Sequence, residues 1–79
     1  MLRSDNRLRV EEVHIPEGFE RRALGDVIGH SPDYILLAVR AGEAWQFNPS
    51  ADHRIGPGST LVVMVNPEGR GALEKLVAG

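Results

Sequence analysis

The three histidines, His14, His30 and His53, are the residues of this 79-residue chain most able to bind a metal. Structural and catalytic zinc sites draw three or four such ligands from closely spaced positions. Only His53 has a carboxylate at that kind of spacing, in Asp52, and the chain has no cysteine. A lone histidine is more often exposed or hydrogen-bonded in a mixed environment. The sequence therefore predicts no metal site and no bound cofactor.

The serines and the remaining acids give no catalytic pattern. A nucleophilic hydroxyl needs a base that is itself oriented by a third group, and a phosphate loop needs glycines after a strand. Neither arrangement surrounds any serine of the chain (Ser4, Ser31, Ser50, Ser59). Four acids are not spaced as a cation-binding loop and indicate a solvated acidic face (Glu17, Glu20, Asp26, Asp33). We expect no catalytic residue and no enzymatic activity.

Arg40 is the side chain best placed for binding chemistry. It closes an apolar segment just before the turn at residues 41–42, where a guanidinium is able to hold an anionic ligand or a partner's carboxylate. The alternative is a solvated strand end that pairs with Glu43 or Asp52, which is the more common situation for a surface arginine.

Four stretches have the composition of β-strands. The first carries a change of parity at Glu11-Glu12, which indicates either a bulge or a strand that is covered unequally. The second and fourth are apolar on both faces, as is typical of central strands or of strands covered by a second subunit. The stretches are residues 8–15, 34–39, 44–48 and 61–65.

The third of these strands carries Trp45 and Phe47 at alternate positions, opposite a polar face. Exposed aromatic rings are able to stack on nucleic-acid bases. However, no basic stripe surrounds them, and aromatic side chains are usually buried. We therefore expect Trp45 and Phe47 to pack against the helices.

Two apolar stripes have helical spacing. The first consists of Leu24, Val27 and Ile28, a helix of about two turns that Gly29 ends in a left-handed conformation. The second follows an opening at residues 66–67, with asparagine as cap and proline in the first turn (Leu73, Leu76, Val77). The order β-α-β-β-β-α predicts an α+β domain, a mostly antiparallel sheet of about four strands with two short helices.

Size and charge limit the classes of protein. Nine basic and eleven acidic residues give a net charge of −2, and the two signs are interspersed, which argues against a nucleic-acid partner. No apolar run is longer than six residues, whereas a membrane span needs about 20. No signal-peptide pattern opens the chain. A chain of 79 residues buries a small core, so pairing with another chain would be a natural support.

The ordered set of turns and strands resembles the C-terminal lobe of RCK domains, also called the TrkA C-terminal domain. The resemblance spans about residues 9–78 and departs at Ser59, where the family usually has aspartate. Four segments carry it: residues 23–26 (Ala-Leu-Gly-Asp), 39–42 (Val-Arg-Ala-Gly), 48–52 (Asn-Pro-Ser-Ala-Asp) and 58–63 (Gly-Ser-Thr-Leu-Val-Val).

The resemblance implies a cytoplasmic regulatory domain of a potassium channel or ion transporter, reached through an upstream RCK N-terminal lobe. It implies a homodimer that couples ligand binding at its seam to gating, with a cyclic dinucleotide among the possible ligands. Residues matching the ligand-binding positions are Arg40, Asn48 and His53. The polar residues 1–8 are then a linker or the remnant of a longer chain, and 9–79 the domain.

From the apolar second strand we further expect a dimer interface made by Tyr34, Ile35, Leu37 and Val39. Two alternatives remain open. One is a constitutive dimerisation module with no small-molecule ligand. The other is an isolated enzyme or a small-ligand barrel of the cupin type, which shares the glycine turn before an apolar strand but needs a histidine pair that this chain lacks.

Overall fold

The computed structural model describes residues 8–78, so the expected linker lies, except for Leu8, outside the described residues. Within these residues, six strands and two helices follow one another. The strands are β1 (Arg9–His14), β2 (Arg22–Ala23), β3 (Tyr34–Ala41), β4 (Ala44–Phe47), β5 (Arg54–Ile55) and β6 (Thr60–Val65). The helices are α1 (Leu24–Val27) and α2 (Pro67–Ala78).

The four longer strands form one antiparallel sheet in the order β1-β6-β3-β4, which confirms the predicted α+β class. Strands β2 and β5 pair in a separate two-stranded sheet beside α1. That small sheet was not predicted, because two residues are too few to show an alternating pattern.

The prediction of a bulge in β1 is wrong. The change of parity instead reflects a strand that is buried unequally along its length. β1 pairs with β6 without interruption, and Val13 is its one fully buried residue. The register instead shifts in β3, where Leu36 pairs with Val63 but Ala38 pairs with Val62. Leu37 is therefore the extra residue of a bulge in the central strand.

The large buried side chains of the four-stranded sheet lie on one of its faces. Val13, Leu61, Val63, Val65 and Val39 point to the same side and are at most 3% exposed. The apolar residues of α1 and α2 complete the cluster from above (Leu24, Val27, Ile28, Leu73, Val77). We call this the inner face, and it is the face that the helices cover.

The residues predicted to cap or end the two helices and to form two of the turns have those roles in the structure. Gly42 and Gly58 have positive φ angles of 64° and 84° in the turns before β4 and β6. Asn66 caps α2, its side-chain oxygen accepting the N–H of Gly69 at 2.7 Å. α1 is shorter than expected, a single turn that passes through Ile28 before Gly29 adopts a φ of 60°. No helix within residues 8–78 has the length and apolarity to cross a membrane.

Candidate functional site

Neither α1 nor α2 covers the second face of the four-stranded sheet. Directly paired residues of antiparallel strands share a face. The residues between the core positions therefore point away from α1 and α2. We call this the outer face; it comprises Val10, Glu12, His14, Ile35, Ala38, Arg40, Trp45, Phe47, Thr60, Val62 and Met64.

One end of the outer face is apolar and exposed. Val10, Ile35 and Phe47 are 61%, 60% and 68% exposed, and Met64 lies between the first two in the paired register. Single exposed apolar residues are normal on a protein surface, but a contiguous group marks an interaction site. The grouping therefore makes the outer face a candidate surface for a partner.

The other end of the outer face holds charged and polar groups. The Arg40 guanidinium lies 5.4 Å from the centre of the Trp45 ring and 3.5 Å from a carboxylate oxygen of Glu12. His14 Nδ1 and the Thr60 hydroxyl are hydrogen-bonded at 2.8 Å. Arg40 thus lies beside an aromatic ring and pairs with Glu12, and not with the expected Glu43 or Asp52.

Trp45 and Phe47 are not packed against the helices, so that expectation is wrong. Their register partners are Arg40 and Ala38, which places both rings on the outer face. The rings stack on each other with centres 5.6 Å apart and planes 13° apart. β4 is the edge strand, and all four of its residues are exposed, so both of its faces are open instead of the predicted one.

The three residues matched to the family's ligand positions lie on three different elements. Arg40 is near the end of β3, while Asn48 follows β4 with a φ of 48° and donates its N–H to the Leu37 carbonyl. His53 precedes β5, and its carbonyl accepts the Leu24 N–H at 2.8 Å. No hydrogen bond or ion pair within residues 8–78 joins these three side chains.

The four residues expected at the dimer interface separate between the two faces of β3. Tyr34 and Val39 are 8% and 2% exposed and belong to the core. Ile35 projects from the outer face, and Leu37 occupies the bulge with partial exposure. Burial raises the pKa of the Tyr34 phenol, whose hydroxyl donates to the Ile28 carbonyl. Within one chain, only Ile35 and Leu37 remain available to a partner.

A cleft of about 520 Å³ lies where β3 extends beyond β4, and sequence reasoning missed it. Its walls are α1 with the following residues 28–31, the first residues of β3, and the loop 49–51. The loop is hydrogen-bonded to the helix: Gly25 donates its N–H to the Ala51 carbonyl at 2.9 Å. No sequence pattern indicated the cleft, since its walls come from three segments that no local pattern links.

Within residues 8–78, no three histidine or acidic side chains are close enough to share a metal ion. Of the acids expected to be solvated, Glu17, Glu20 and Asp26 are exposed, whereas Asp33 is half-buried and accepts a hydrogen bond from the Asn66 side chain at 3.0 Å.

Comparison with protein-family models gives no match for this chain, and comparison with curated proteins gives none either.

Proposed function

We propose that this chain is a regulatory domain that pairs with a second copy of itself through the outer face, and that it serves a potassium channel or another ion transporter. The observation that carries the pairing is the apolar end of the outer face at Val10, Ile35, Phe47 and Met64, which neither helix covers. A stable association needs a buried apolar patch bordered by polar groups, and the outer face offers an apolar end beside a charged and polar one. A small domain also gains most from such added burial.

The link to ion transport comes from the resemblance to the C-terminal lobe of RCK domains. The resemblance is one of sequence and depends on the turn after Arg40, the turn at Gly58 and the apolar strands beside them. In this proposal the domain lies on the cytoplasmic side, attached to its transporter through an upstream nucleotide-binding lobe. Two arrangements of the pair would favour different states of the pore, and a ligand would act by its difference in affinity for them.

Arg40 is the group on the outer face that suits an anionic ligand at the seam. Its guanidinium already carries one carboxylate partner, Glu12, and one aromatic neighbour, Trp45. A ligand with phosphate groups would replace Glu12 and gain bidentate hydrogen bonds. Asn48 and His53 would join this site from a loop or from the second subunit, since neither contacts Arg40 within the chain.

Sedimentation equilibrium on the isolated domain tests the pairing. We expect a dimer for the unaltered chain and a monomer for Ile35→Asp, because a carboxylate at the centre of the seam would be buried without a partner. The matched control is Leu76→Asp, which places the same charge on α2, 37% exposed and away from the outer face. Circular dichroism must show both variants folded. A monomeric unaltered chain, or a dimer with Ile35→Asp, would reject the outer face as the seam.

Thermal unfolding in the presence of cyclic dinucleotides, nucleotides and divalent cations tests the ligand. A stabilised domain whose response disappears in Arg40→Gln supports the regulatory function. A dimer that responds to none of them supports the alternative of a constitutive dimerisation module with no ligand. The pairing test and the ligand test are separate, so one can fail without the other.

A further inference from the structure

The cleft beside β3 is a second place for binding. Its lining shares Ile35 with the outer face but does not include Arg40. Its volume of about 520 Å³ lies within the range of about 300 to 1,000 Å³ that is common for small-molecule sites. The floor is apolar and is made by Leu24, Ile28, Tyr34 and Leu36. The walls are held in place by backbone hydrogen bonds, so the cleft is already formed without a ligand.

Among the described residues, the lining includes no lysine, arginine, aspartate or glutamate. The polar groups at its rim are the hydroxyls of Ser31 and Ser50 and the imidazole of His30. Ser31 Oγ accepts the N–H of Asp33 at 3.1 Å, which leaves its own hydroxyl proton free for a ligand. An ionised group of a ligand that moved from water into this cleft would have no partner of opposite charge, and its burial would cost free energy. The cleft therefore suits a neutral molecule.

The edge of β3 gives the ligand a more specific chemistry. β4 pairs with β3 only from Ala38 onward, and the N–H of Asn48 reaches the Leu37 carbonyl. Between Tyr34 and Leu36, β3 pairs with β6 on one side, and on the other side the described chain offers only the single bridge of Tyr34 to Ser31. Alternate residues of a strand direct their N–H and C=O groups to one side. A backbone donor and acceptor therefore stand at the cleft wall, complementary to a carboxamide.

We infer that this cleft binds a neutral, ring-sized molecule whose amide edge pairs with the β3 backbone while its ring lies on Leu24, Ile28 and Leu36. The ligand class is that of aromatic carboxamides. A phosphorylated ligand is a poor fit, because no lysine or arginine of the described residues lines the cleft. This separates the site from the anionic one proposed at Arg40, on the outer face.

Benzamide and benzoate, which share a shape and differ in charge, are the probes. We titrate each into ¹⁵N-labelled protein at pH 8 and follow the backbone amides by NMR. Benzamide is expected to give saturable shifts at Ser31, Leu36 and Ala51, with benzoate weaker by about tenfold or more from the burial of its charge. Benzoate that binds equally well, shifts confined to the outer face, or no saturation with benzamide would overturn the inference.

Two variants on one loop locate the binding. Ser50→Leu places a larger side chain at the rim, whereas Asp52→Leu changes an exposed neighbour outside the lining. We expect benzamide to bind at least fivefold more weakly to the first and unchanged to the second. Equal affinities in both would overturn the placement. A capped Val-Thr-Val-Thr peptide that shifts these amides when benzamide does not would also overturn it, assigning the cleft to strand addition instead.

Discussion

The α-carbon of Gly69 faces the carbonyl oxygen of Asp33 so closely that a Cβ atom at Gly69 would lie 2.2 Å from that oxygen. Asn66 joins the same residue twice, its backbone N–H donating to the Asp33 carbonyl at 3.2 Å and its side-chain amide to the Asp33 carboxylate at 3.0 Å. The start of α2 is therefore held against the loop before β3 by two hydrogen bonds and a close backbone contact. This contact sets where the helix begins on the sheet.

Gly69→Ala should destabilise the fold although alanine favours helices. The new methyl group meets backbone, which can move only with the helix, so we expect a loss of about 1 to 3 kcal/mol in the free energy of unfolding. The control is Gly71→Ala in the same helix, where a Cβ meets nothing within 4 Å. That change should stabilise by up to about 1 kcal/mol. Urea unfolding followed by circular dichroism measures both, and two changes of the same sign would contradict the close approach.

Tyr34 predicts how stability depends on high pH. Burial raises the pKa of its phenol above the ordinary value of 10.0, so the unfolded chain loses the proton first as pH rises. The free energy of unfolding should be unaffected by this group below that value and should fall as the pH rises from 10.0 toward the pKa of the folded state. Tyr34 is the single tyrosine, so absorbance at 295 nm follows it directly.

Tyr34→Phe is the control for this pH dependence. It removes the hydroxyl that donates to the Ile28 carbonyl, so the variant should be less stable at pH 8 by about 0.5 to 1.5 kcal/mol. Between pH 8 and 10.5 the variant should lose less stability than the unaltered chain. Equal losses in the two proteins would mean that Tyr34 titrates normally.

The fold was largely predictable because its signals are local. Glycine at positions 42 and 58 and asparagine at 66 specify turns and a cap through their own backbone and side-chain chemistry, and all three were identified correctly. The apolar runs also identified the two central strands, β3 and β6. Alternation within a strand shows which residues share a face, but it does not show which face the helices cover.

That missing information explains the error at Trp45 and Phe47. Their shared parity was read correctly, but their side of the sheet depends on the pairing of Trp45 with Arg40, a tertiary fact. The cleft was missed for a related reason, since it forms where the first residues of β3 extend beyond the part of the strand that pairs with β4. No spacing rule brings Gly25 to Ala51 across 26 positions of the chain, whereas the fold joins them by one hydrogen bond.

Arg70 is expected to contribute to stability through an ionic contact between α2 and β1. Its guanidinium donates to a carboxylate oxygen of Glu11 at 2.5 Å, to the Glu12 carbonyl at 3.2 Å and to Glu74 at 2.9 Å. The hydrogen bond with Glu74 and the charge of Glu11 raise the pKa of Arg70, so the group stays charged. Glu11→Gln should cost about 0.5 to 1 kcal/mol in the free energy of unfolding.

The matched change is Glu74→Gln, which removes a partner on the same helix and should cost about 0.3 to 0.5 kcal/mol. Both losses should shrink in 0.5 M salt, because the side chains are partly exposed and salt screens them. Urea unfolding at low and high salt measures this. A loss for Glu11→Gln that does not change with salt would point to packing and not to charge.

Trp45 is the single tryptophan and stands on the proposed seam, so its fluorescence reports pairing independently of hydrodynamics. In the isolated chain Trp45 is 45% exposed, and a second subunit would bury its side chain. We expect the emission maximum to move to longer wavelength on dilution, with the same midpoint concentration as dissociation in sedimentation. Ile35→Asp should emit at the longer wavelength at every concentration, while Leu76→Asp should follow the unaltered chain. A dimer that dissociates without any change at Trp45 would place the seam elsewhere than the outer face.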